Sequence, residues 1–297
     1  MQDLNKIYND IDGQVKTIIL SQENSNNILA IYAIGSYGSK ELRLDIKTKK
    51  VKIENDLDII IITDSAFEMD LESTTKLKLI YELSFVDIYI ETPLNFKKRN
   101  NSILTFDIYN SARLIHGEDF RQIDKYIKIP KGDLSVYLLN RLAGINICKK
   151  KLRLHSEDDY KYQLVKLIIA IGDILLIKTD NYNSSYSIRL KNINNIDSID
   201  TNLFKKCYQY KLGLTDNINI NDLDVLKVLN SKPIKNLIKL SDLVIFKIKQ
   251  NKFISPNIII GTIRSLIIYS KLYYFYKKNN YFKINTKTLI EWERHCH

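Results

Sequence analysis

Two aspartates, Asp56 and Asp58, stand at the start of an apolar run over residues 57–63 that has the composition of a buried strand. Side chains alternate along a strand, so both carboxylates emerge on the same side, with Cα atoms about 7 Å apart. A third carboxylate, Asp87, lies in the alternating segment FVDIYIE at residues 85–91. If these two strands are neighbours, the three carboxylates can meet at one end of a sheet.

Clustered carboxylates are unfavourable unless a cation lies between them, and Mg²⁺ prefers carboxylate, phosphate and water oxygens. We therefore predict that Asp56, Asp58 and Asp87 are both the metal ligands and the catalytic residues. Three carboxylates on adjacent strands suffice for two Mg²⁺ ions roughly 4 Å apart, with Mn²⁺ as a substitute. Such a pair of ions clamps the attacking and departing oxygens of a phosphoryl displacement.

A glycine-serine turn, GSYGS, ends the preceding apolar run at residues 27–35. Gly35 and Gly38 let the backbone approach a phosphate closely, and Ser36 offers a hydroxyl. We predict that Gly35, Ser36 and Ser39 bind the nucleotide. If residues 39–43 begin a helix, its free N–H groups face the same anion.

The order of IGSYGS, DLDIIII and VDIYI resembles the nucleotidyltransferase superfamily typified by DNA polymerase beta, in its stand-alone bacterial or archaeal form. The resemblance implies transfer of an NMP from an NTP to an acceptor hydroxyl, with two Mg²⁺ ions and release of pyrophosphate. It assigns the triphosphate to Gly35 and Ser36, and both metals to Asp56 and Asp58. Asp87 would bind the catalytic metal and help to deprotonate the acceptor.

One departure from the family is the distance between the motifs, because Asp56 follows Ser36 by twenty residues, which is later than usual. The intervening segment alternates apolar and polar residues on both sides of KTKK, which predicts a β-hairpin over residues 42–54. Such a hairpin leaves the two motifs in register if its ends lie close together. Its lysines are either a solvated surface or a contact for an anionic acceptor: Lys47, Lys49, Lys50 and Lys52.

A second wall of the nucleotide site is predicted in the rear half of the chain. AIGDILLI and YNSSYSIR resemble the helical region of some stand-alone members, and they contain Asp173, Tyr186 and Arg189. We predict that Lys166 and Tyr186 bind the nucleotide, while Asp173 needs a partner in its apolar helix. ARLIHGEDF resembles a helix end in many small bacterial members, where His116 is expected to cap or pack.

The periodicity of the chain predicts the α+β class, with a small mixed-sheet nucleotidyltransferase domain over residues 1–128 and an α-helical bundle over residues 129–297. The boundary lies near Pro130 and Gly132. The predicted front elements are helices at 3–21, 73–84 and 101–117, a helical turn at 37–43, and strands at 27–35, 57–63 and 85–91. The predicted rear helices are 134–154, 159–179, 200–213, 222–251 and 256–279, with a polar connection at 180–200.

The charge is divided unevenly along the chain. Residues 1–125 carry 16 basic and 20 acidic side chains, whereas residues 126–297 carry 29 and 14, a net charge of +15. A carboxylate-rich front and a cationic rear suit a protein that holds an anion such as a triphosphate or a nucleic acid. A solvated lysine surface is the plainer interpretation.

The cysteines and the termini predict a protein of a reducing compartment. Cys148, Cys207 and Cys296 are widely spaced and odd in number, which favours free thiols, and the terminal HCH is expected to be a frayed tail. We expect no signal peptide, no membrane span and a cytoplasmic location.

The acceptor is left open by the sequence. We expect a small molecule, but the basic rear half equally permits a tRNA or other polynucleotide, or a second nucleotide. A protein hydroxyl, as in a toxin, is a further alternative. A non-catalytic, antitoxin-like NTP-binding partner is a different class, which the three carboxylates disfavour because they would repel one another without a metal.

Overall fold

The computed structural model describes most of the chain, and it forms two compact units. The described residues are 4–45, 51–54, 56–83, 86–121, 127–150, 157–196, 201–231, 234, 239–250, 266–274, 276, 278, 281, 284 and 286–295. The first unit comprises Met1–Ile127, Asn183–Ile188 and Lys211–Leu214. The second unit comprises Lys128–Tyr182, Arg189–Tyr210 and Thr215–His297.

A mixed four-stranded sheet forms the centre of the first unit. The strands of this unit are β1 (Ile28–Ile34), β2 (Leu44–Asp45), β3 (Lys52–Ile53), β4 (Leu57–Thr63), β5 (Val86–Glu91) and β6 (Arg113–Gly117). The sheet order is β5-β4-β1-β6. Strand β1 runs antiparallel to β4 and β6, whereas β4 and β5 are parallel.

Helices cover both faces of this sheet. They are α1 (Leu4–Leu20), α2 (Gly35–Gly38), α3 (Leu71–Tyr81), α4 (Pro93–Lys97) and α5 (Ile103–Ser111). One apolar core joins α1 and α3 to Ile59 and Ile61 of β4, and a second joins α4 and α5 to Ile60 and Ile62. Because successive residues of β4 point to opposite faces, a continuous isoleucine run is buried on both sides.

The predicted helix over residues 101–117 is wrong in its second half. Ser102 caps α5 by accepting a hydrogen bond from the Thr105 N–H at 3.0 Å, but the helix ends at Ser111. The chain then becomes β6, which pairs with the open edge of β1 and places His116 opposite Ile31. Pairing with the sheet edge therefore overrides the local helical pattern.

The hairpin prediction over residues 42–54 is confirmed for the described residues. Strands β2 and β3 are antiparallel, with Leu44 opposite Ile53, and Ile53 is buried in the core. Lys47, Lys49 and Lys50 lie outside the described residues. The helical turn predicted at 37–43 is wrong, because the helix occupies Gly35–Gly38 and residues 41–43 are not helical.

The second unit is helical in its described residues. Its helices, two of which extend into segments of the first unit, are α6 (Lys131–Lys149), α7 (Glu157–Lys178), α8 (Tyr186–Asn192), α9 (Asn202–Lys211), α10 (Asp222–Asn230), Leu240–Gln250 and Thr286–His295. Residues 266–274 are also helical, and the remainder of the predicted helix 256–279 is described only in part. An α+β chain with a small mixed sheet and a helical rear half is thus confirmed.

Two predictions in the rear half need correction. The connection predicted at 180–200 contains α8, and the single helix predicted at 222–251 is interrupted after Asn230. The backbone of Ser231 is extended there, and the sequence places a proline two residues later, which cannot donate a helical hydrogen bond. Within the described ranges, no helix is long and apolar enough to cross a membrane.

Candidate functional site

The first feature of the candidate site is a pair of carboxylates on neighbouring strands. Asp58 of β4 lies directly opposite Asp87 of β5 in the parallel register. The side chains of register partners on adjacent strands point to the same face of the sheet, and their backbones are about 4.8 Å apart from strand to strand. Asp58 is half-buried and Asp87 is exposed. The structure therefore brings together two of the three predicted carboxylates.

The second feature is the contact between Asp58 and the glycine-serine turn. Ile34, the last residue of β1, is the register partner of Asp58. The next residue, Gly35, has φ +58°, and a Cβ on it would lie 2.6 Å from Asp58 Oδ2. Because β1 is antiparallel to β4, the last residues of β1 and the first residues of β4 and β5 lie at the same end of the sheet. All three sequence motifs therefore meet at this end.

The chemistry of the carboxylate pair suits a divalent cation. Mg²⁺ commonly takes one or two protein carboxylates and completes its shell with phosphate and water oxygens. Asp56 is half-buried and directly precedes β4, two residues before Asp58. No group of three or more His, Cys, Asp or Glu side chains lies close enough to hold a metal within the part of the chain that the structure describes. The Asp58–Asp87 pair is therefore the candidate donor set.

The glycine-serine turn is packed tightly against its surroundings. Ser36 is only 4% exposed and Tyr37 is fully buried. A Cβ on Gly38 would lie 2.7 Å from the Ala33 carbonyl oxygen and 2.9 Å from that of Ser111. Glycine is therefore required here by close backbone approach. Gly35 and Ser39 are half-buried and form the more accessible part of the turn.

Tyr37 anchors the turn to α1 and β6. Its hydroxyl donates to Asp12 Oδ1, and Arg113 forms an ion pair with Oδ2 of the same carboxylate. The Arg113 guanidinium also lies 5.2 Å from the centre of the Tyr37 ring. Burial, and then the Asp12 carboxylate, raise the pKa of Tyr37 well above its usual value, so the hydroxyl stays protonated and donates.

Glu41 links the turn to a segment far along the sequence. Its Oε2 accepts hydrogen bonds from Ser39 Oγ at 3.0 Å and from the Tyr186 N–H at 2.7 Å. Its Oε1 accepts from Ser185 Oγ at 2.7 Å, and from the Ser187 N–H and Oγ at 2.9 and 2.6 Å. Segment Asn183–Ile188 thereby belongs to the first unit.

The hydrogen bonds to Glu41 also determine its charge state. Burial alone would raise the pKa of the Glu41 carboxyl, because it penalises the charged form. The donors of Ser187 and Ser185 and the Tyr186 N–H outweigh burial and lower the pKa below its usual value. Glu41 is therefore ionised at neutral pH.

Of the residues predicted for the second wall, Lys166, Asp173 and Arg189 belong to the second unit and Tyr186 belongs to the first. In the second unit, Asp173 and Arg189 form a buried ion pair at 3.1 Å, and Asp173 also accepts from Tyr208 at 2.7 Å and from Tyr137 at 3.1 Å. Asp173 thus has the partners that its buried position requires. This cluster joins α6, α7, α8 and α9 of that unit.

Lys166 and Tyr186 each take part in a contact between an ammonium group and a tyrosine ring. The ammonium group of Lys166 lies 4.6 Å from the ring centre of Tyr162, its neighbour on α7. Tyr186 belongs to the first unit, where the Lys211 ammonium group lies 5.7 Å from its ring centre. That these four residues form one wall of the nucleotide site stays a prediction.

Sequence reasoning missed Glu41, Asp12 and Arg113. Each acts through a partner more than a hundred residues away, or on a different element, and no local pattern marks such a contact. The one local signal was the serine-rich YNSSYS segment, whose hydroxyls and N–H groups are typical of a helix start. No protein-family model and no curated protein matches this chain.

Proposed function

We propose that the protein is a metal-dependent nucleotidyltransferase, which moves an NMP from an NTP to an acceptor hydroxyl and releases pyrophosphate. One observation carries the proposal: Gly35 of the turn lies against the Asp58 carboxylate, and Asp58 is in register with Asp87. This arrangement matches what the resemblance to the polymerase beta-type superfamily implies for the motifs GS, DLD and VD.

Asp58 and Asp87 would hold Mg²⁺, with Asp56 as the third carboxylate that the resemblance names. Their oxygens suit this ion, and the pair leaves coordination positions for phosphate and water. When bound, Mg²⁺ supplies positive charge that neutralises the triphosphate and the departing pyrophosphate.

The remaining steps belong to the chain itself. A phosphate would meet the turn at the backbone of Gly35, which is half-buried and not fully enclosed. The acceptor oxygen attacks the α-phosphorus as the bond to the bridging oxygen of the β-phosphate breaks, so pyrophosphate leaves in line. The exposed Asp87 carboxylate accepts the proton of the acceptor hydroxyl. Atoms and charge balance without a further reactant.

The acceptor is proposed to be a small molecule. The test is incubation of the protein with each α-labelled NTP, Mg²⁺ or Mn²⁺, and cell extract. Wild type is expected to transfer label to one acceptor, and separation of the products identifies it as a small molecule, a polynucleotide, a nucleotide or a protein.

Three variants decide whether the carboxylates are responsible. Asp58→Asn and Asp87→Asn are expected to abolish labelling while the protein stays folded. The matched control is Asp64→Asn, an exposed aspartate just beyond the other end of β4. Labelling that persists in Asp58→Asn or Asp87→Asn, or an equal loss in Asp64→Asn, would contradict the proposed site.

A further inference from the structure

The first unit is completed by a carboxylate that neither the motifs nor the proposed chemistry explains. Glu41 accepts five hydrogen bonds, one from the glycine-serine turn and four from Ser185, Tyr186 and Ser187. We propose that Glu41 is a positioning residue of the nucleotide site, which holds segment Asn183–Ile188 against the turn. The inference rests on the proposed function, since it names a residue that sets the geometry of that same site.

The pattern of donors requires a carboxylate at this position. The Tyr186 N–H donates to Oε2 and the Ser187 N–H donates to Oε1, so each oxygen must accept from a backbone group that can only donate. A glutamine has one acceptor oxygen, and in either orientation its NH₂ group would face a backbone N–H. Glu41→Gln therefore leaves at least one backbone donor facing another donor.

Ser39 extends the link toward the candidate catalytic residues. Its hydroxyl lies 3.0 Å from Glu41 Oε2 and 3.2 Å from the carbonyl oxygen of Gly35. A hydroxyl has one proton, and the nearer and charged acceptor is Glu41. Gly35 in turn lies against Asp58. A continuous path of contacts within the first unit thus joins Asn183–Ile188 to the carboxylate pair.

A second segment supports the same placement. Lys211–Leu214 also belongs to the first unit, and a Cβ on Gly213 would lie 3.1 Å from Arg43 Cγ. Lys211 is only 8% exposed, and its ammonium group lies near the Tyr186 ring. Tyr186 is therefore fixed at its backbone by Glu41 and approached at its ring by Lys211. Two separate later segments of the chain, Asn183–Ile188 and Lys211–Leu214, thus meet beside residues 41–43.

The test compares Glu41→Gln, Glu41→Asp and a control, Glu82→Gln. Glu82 is exposed, and its ion pair with Lys52 is long at 3.8 Å. We expect Glu41→Gln to raise the KM for the NTP about tenfold, which corresponds to roughly 1.4 kcal/mol, with a smaller change in kcat. Glu41→Asp keeps the charge and should recover part of the loss, whereas Glu82→Gln should match wild type.

Hydrogen exchange provides a readout that is independent of activity. We expect the Tyr186 and Ser187 amides to exchange about tenfold faster in Glu41→Gln, while the amides of α7 stay as in wild type. If Glu41→Gln does not fold, Ser187→Ala keeps the carboxylate and removes one hydroxyl donor. It should then raise the NTP KM in the same direction, but less.

The outcomes separate the two proposals. Unchanged exchange in Glu41→Gln, or a KM equal to that of Glu82→Gln, overturns the positioning role even when wild type transfers label. If wild type transfers label from none of the α-labelled NTPs, the proposed function fails, and the assignment of Glu41 to a nucleotide site fails with it. Faster exchange in Glu41→Gln would then support only the structural link.

Discussion

The carboxylate of Asp58 lies where a side chain on Gly35 would begin, with Oδ2 2.6 Å from the position of a Cβ on that glycine. Glycine is therefore favoured twice at this residue. Its φ of +58° is costly for other residues, and the adjacent space is filled by a carboxylate. The contact joins the end of β1 to the beginning of β4 and fixes the turn relative to Asp58.

Substitution of this glycine should damage the site more than the fold. We expect Gly35→Ala to push the Asp58 carboxylate away and to lower nucleotidyl transfer about 100-fold, as a displacement of roughly 1 Å does in other active sites. The left-handed backbone should cost about 1–2 kcal/mol of stability. Labelling assays and urea unfolding measure the two effects separately.

Gly13 provides the control for Gly35→Ala. It lies within α1, and a Cβ there would have no heavy atom within 4 Å. Gly13→Ala should stabilise α1 by about 1 kcal/mol and leave transfer unchanged. A loss of activity in both variants would show that the effect at Gly35 is not specific to its contact with Asp58.

The sheet and its motifs were predictable because periodicity reports burial. Residues 57–63 are apolar throughout, and they form the strand that the structure buries on both faces. The prediction that Asp58 and Asp87 are adjacent required only that their strands, β4 and β5, be neighbours in the sheet. By contrast, residues 113–117 carry no signal for an edge strand, since their partner is β1, far earlier in the sequence.

Glu41 illustrates why the rest of the site could not be predicted. Its five donors include segment Asn183–Ile188, about 145 residues later in the chain. The chain gives no local reason to bring these residues together, because the contact depends on the path taken through the helical unit. A sequence pattern identifies residues that share one helix or strand, and it fails for residues that are far apart in the sequence and meet only through tertiary contacts.

Metal binding should stabilise the folded protein. The Asp58–Asp87 pair should bind Mg²⁺ or Mn²⁺ only in the native state. A free metal concentration of a hundred times the dissociation constant should therefore raise the free energy of unfolding by about 2.7 kcal/mol. Thermal melts with and without the metal measure this shift. The shift should be smaller in Asp87→Asn and intact in Asp64→Asn, and an equal shift in both variants would place the metal elsewhere.

Tyr37 should hold the turn through its hydroxyl. Tyr37→Phe removes the donor to Asp12 but keeps the ring beneath Arg113, and Asp12 keeps its ion pair. We expect a loss of about 1–2 kcal/mol in unfolding free energy, because the variant lacks the charge-assisted hydrogen bond from the buried Tyr37 hydroxyl to Asp12. Tyr274→Phe, at a tyrosine 58% exposed, is the control and should match wild type.

The buried ion pair of the second unit should contribute to stability rather than to chemistry. Asp173→Asn removes the carboxylate charge that pairs with the Arg189 guanidinium, which is only 2% exposed. Loss of one member of a buried pair typically costs about 3–5 kcal/mol. Urea unfolding should show this loss, and the exposed Asp158→Asn on the same helix should not. An unfolding free energy unchanged in Asp173→Asn would show that Arg189 finds other compensation.

The stability that Glu41 provides should depend on pH with a defined sign. Its pKa is lowered in the folded protein, whereas the unfolded chain has the ordinary value of 4.5. The contribution is therefore complete above 4.5 and is lost as pH falls through the folded pKa, because the unfolded chain then binds the proton more readily. Unfolding free energies of wild type and Glu41→Gln, measured between about pH 7 and pH 3, should converge as the pH falls. Glu82→Gln should run parallel to wild type. A constant difference between wild type and Glu41→Gln would mean that hydrogen-bond geometry, and not the charge of Glu41, holds segment Asn183–Ile188.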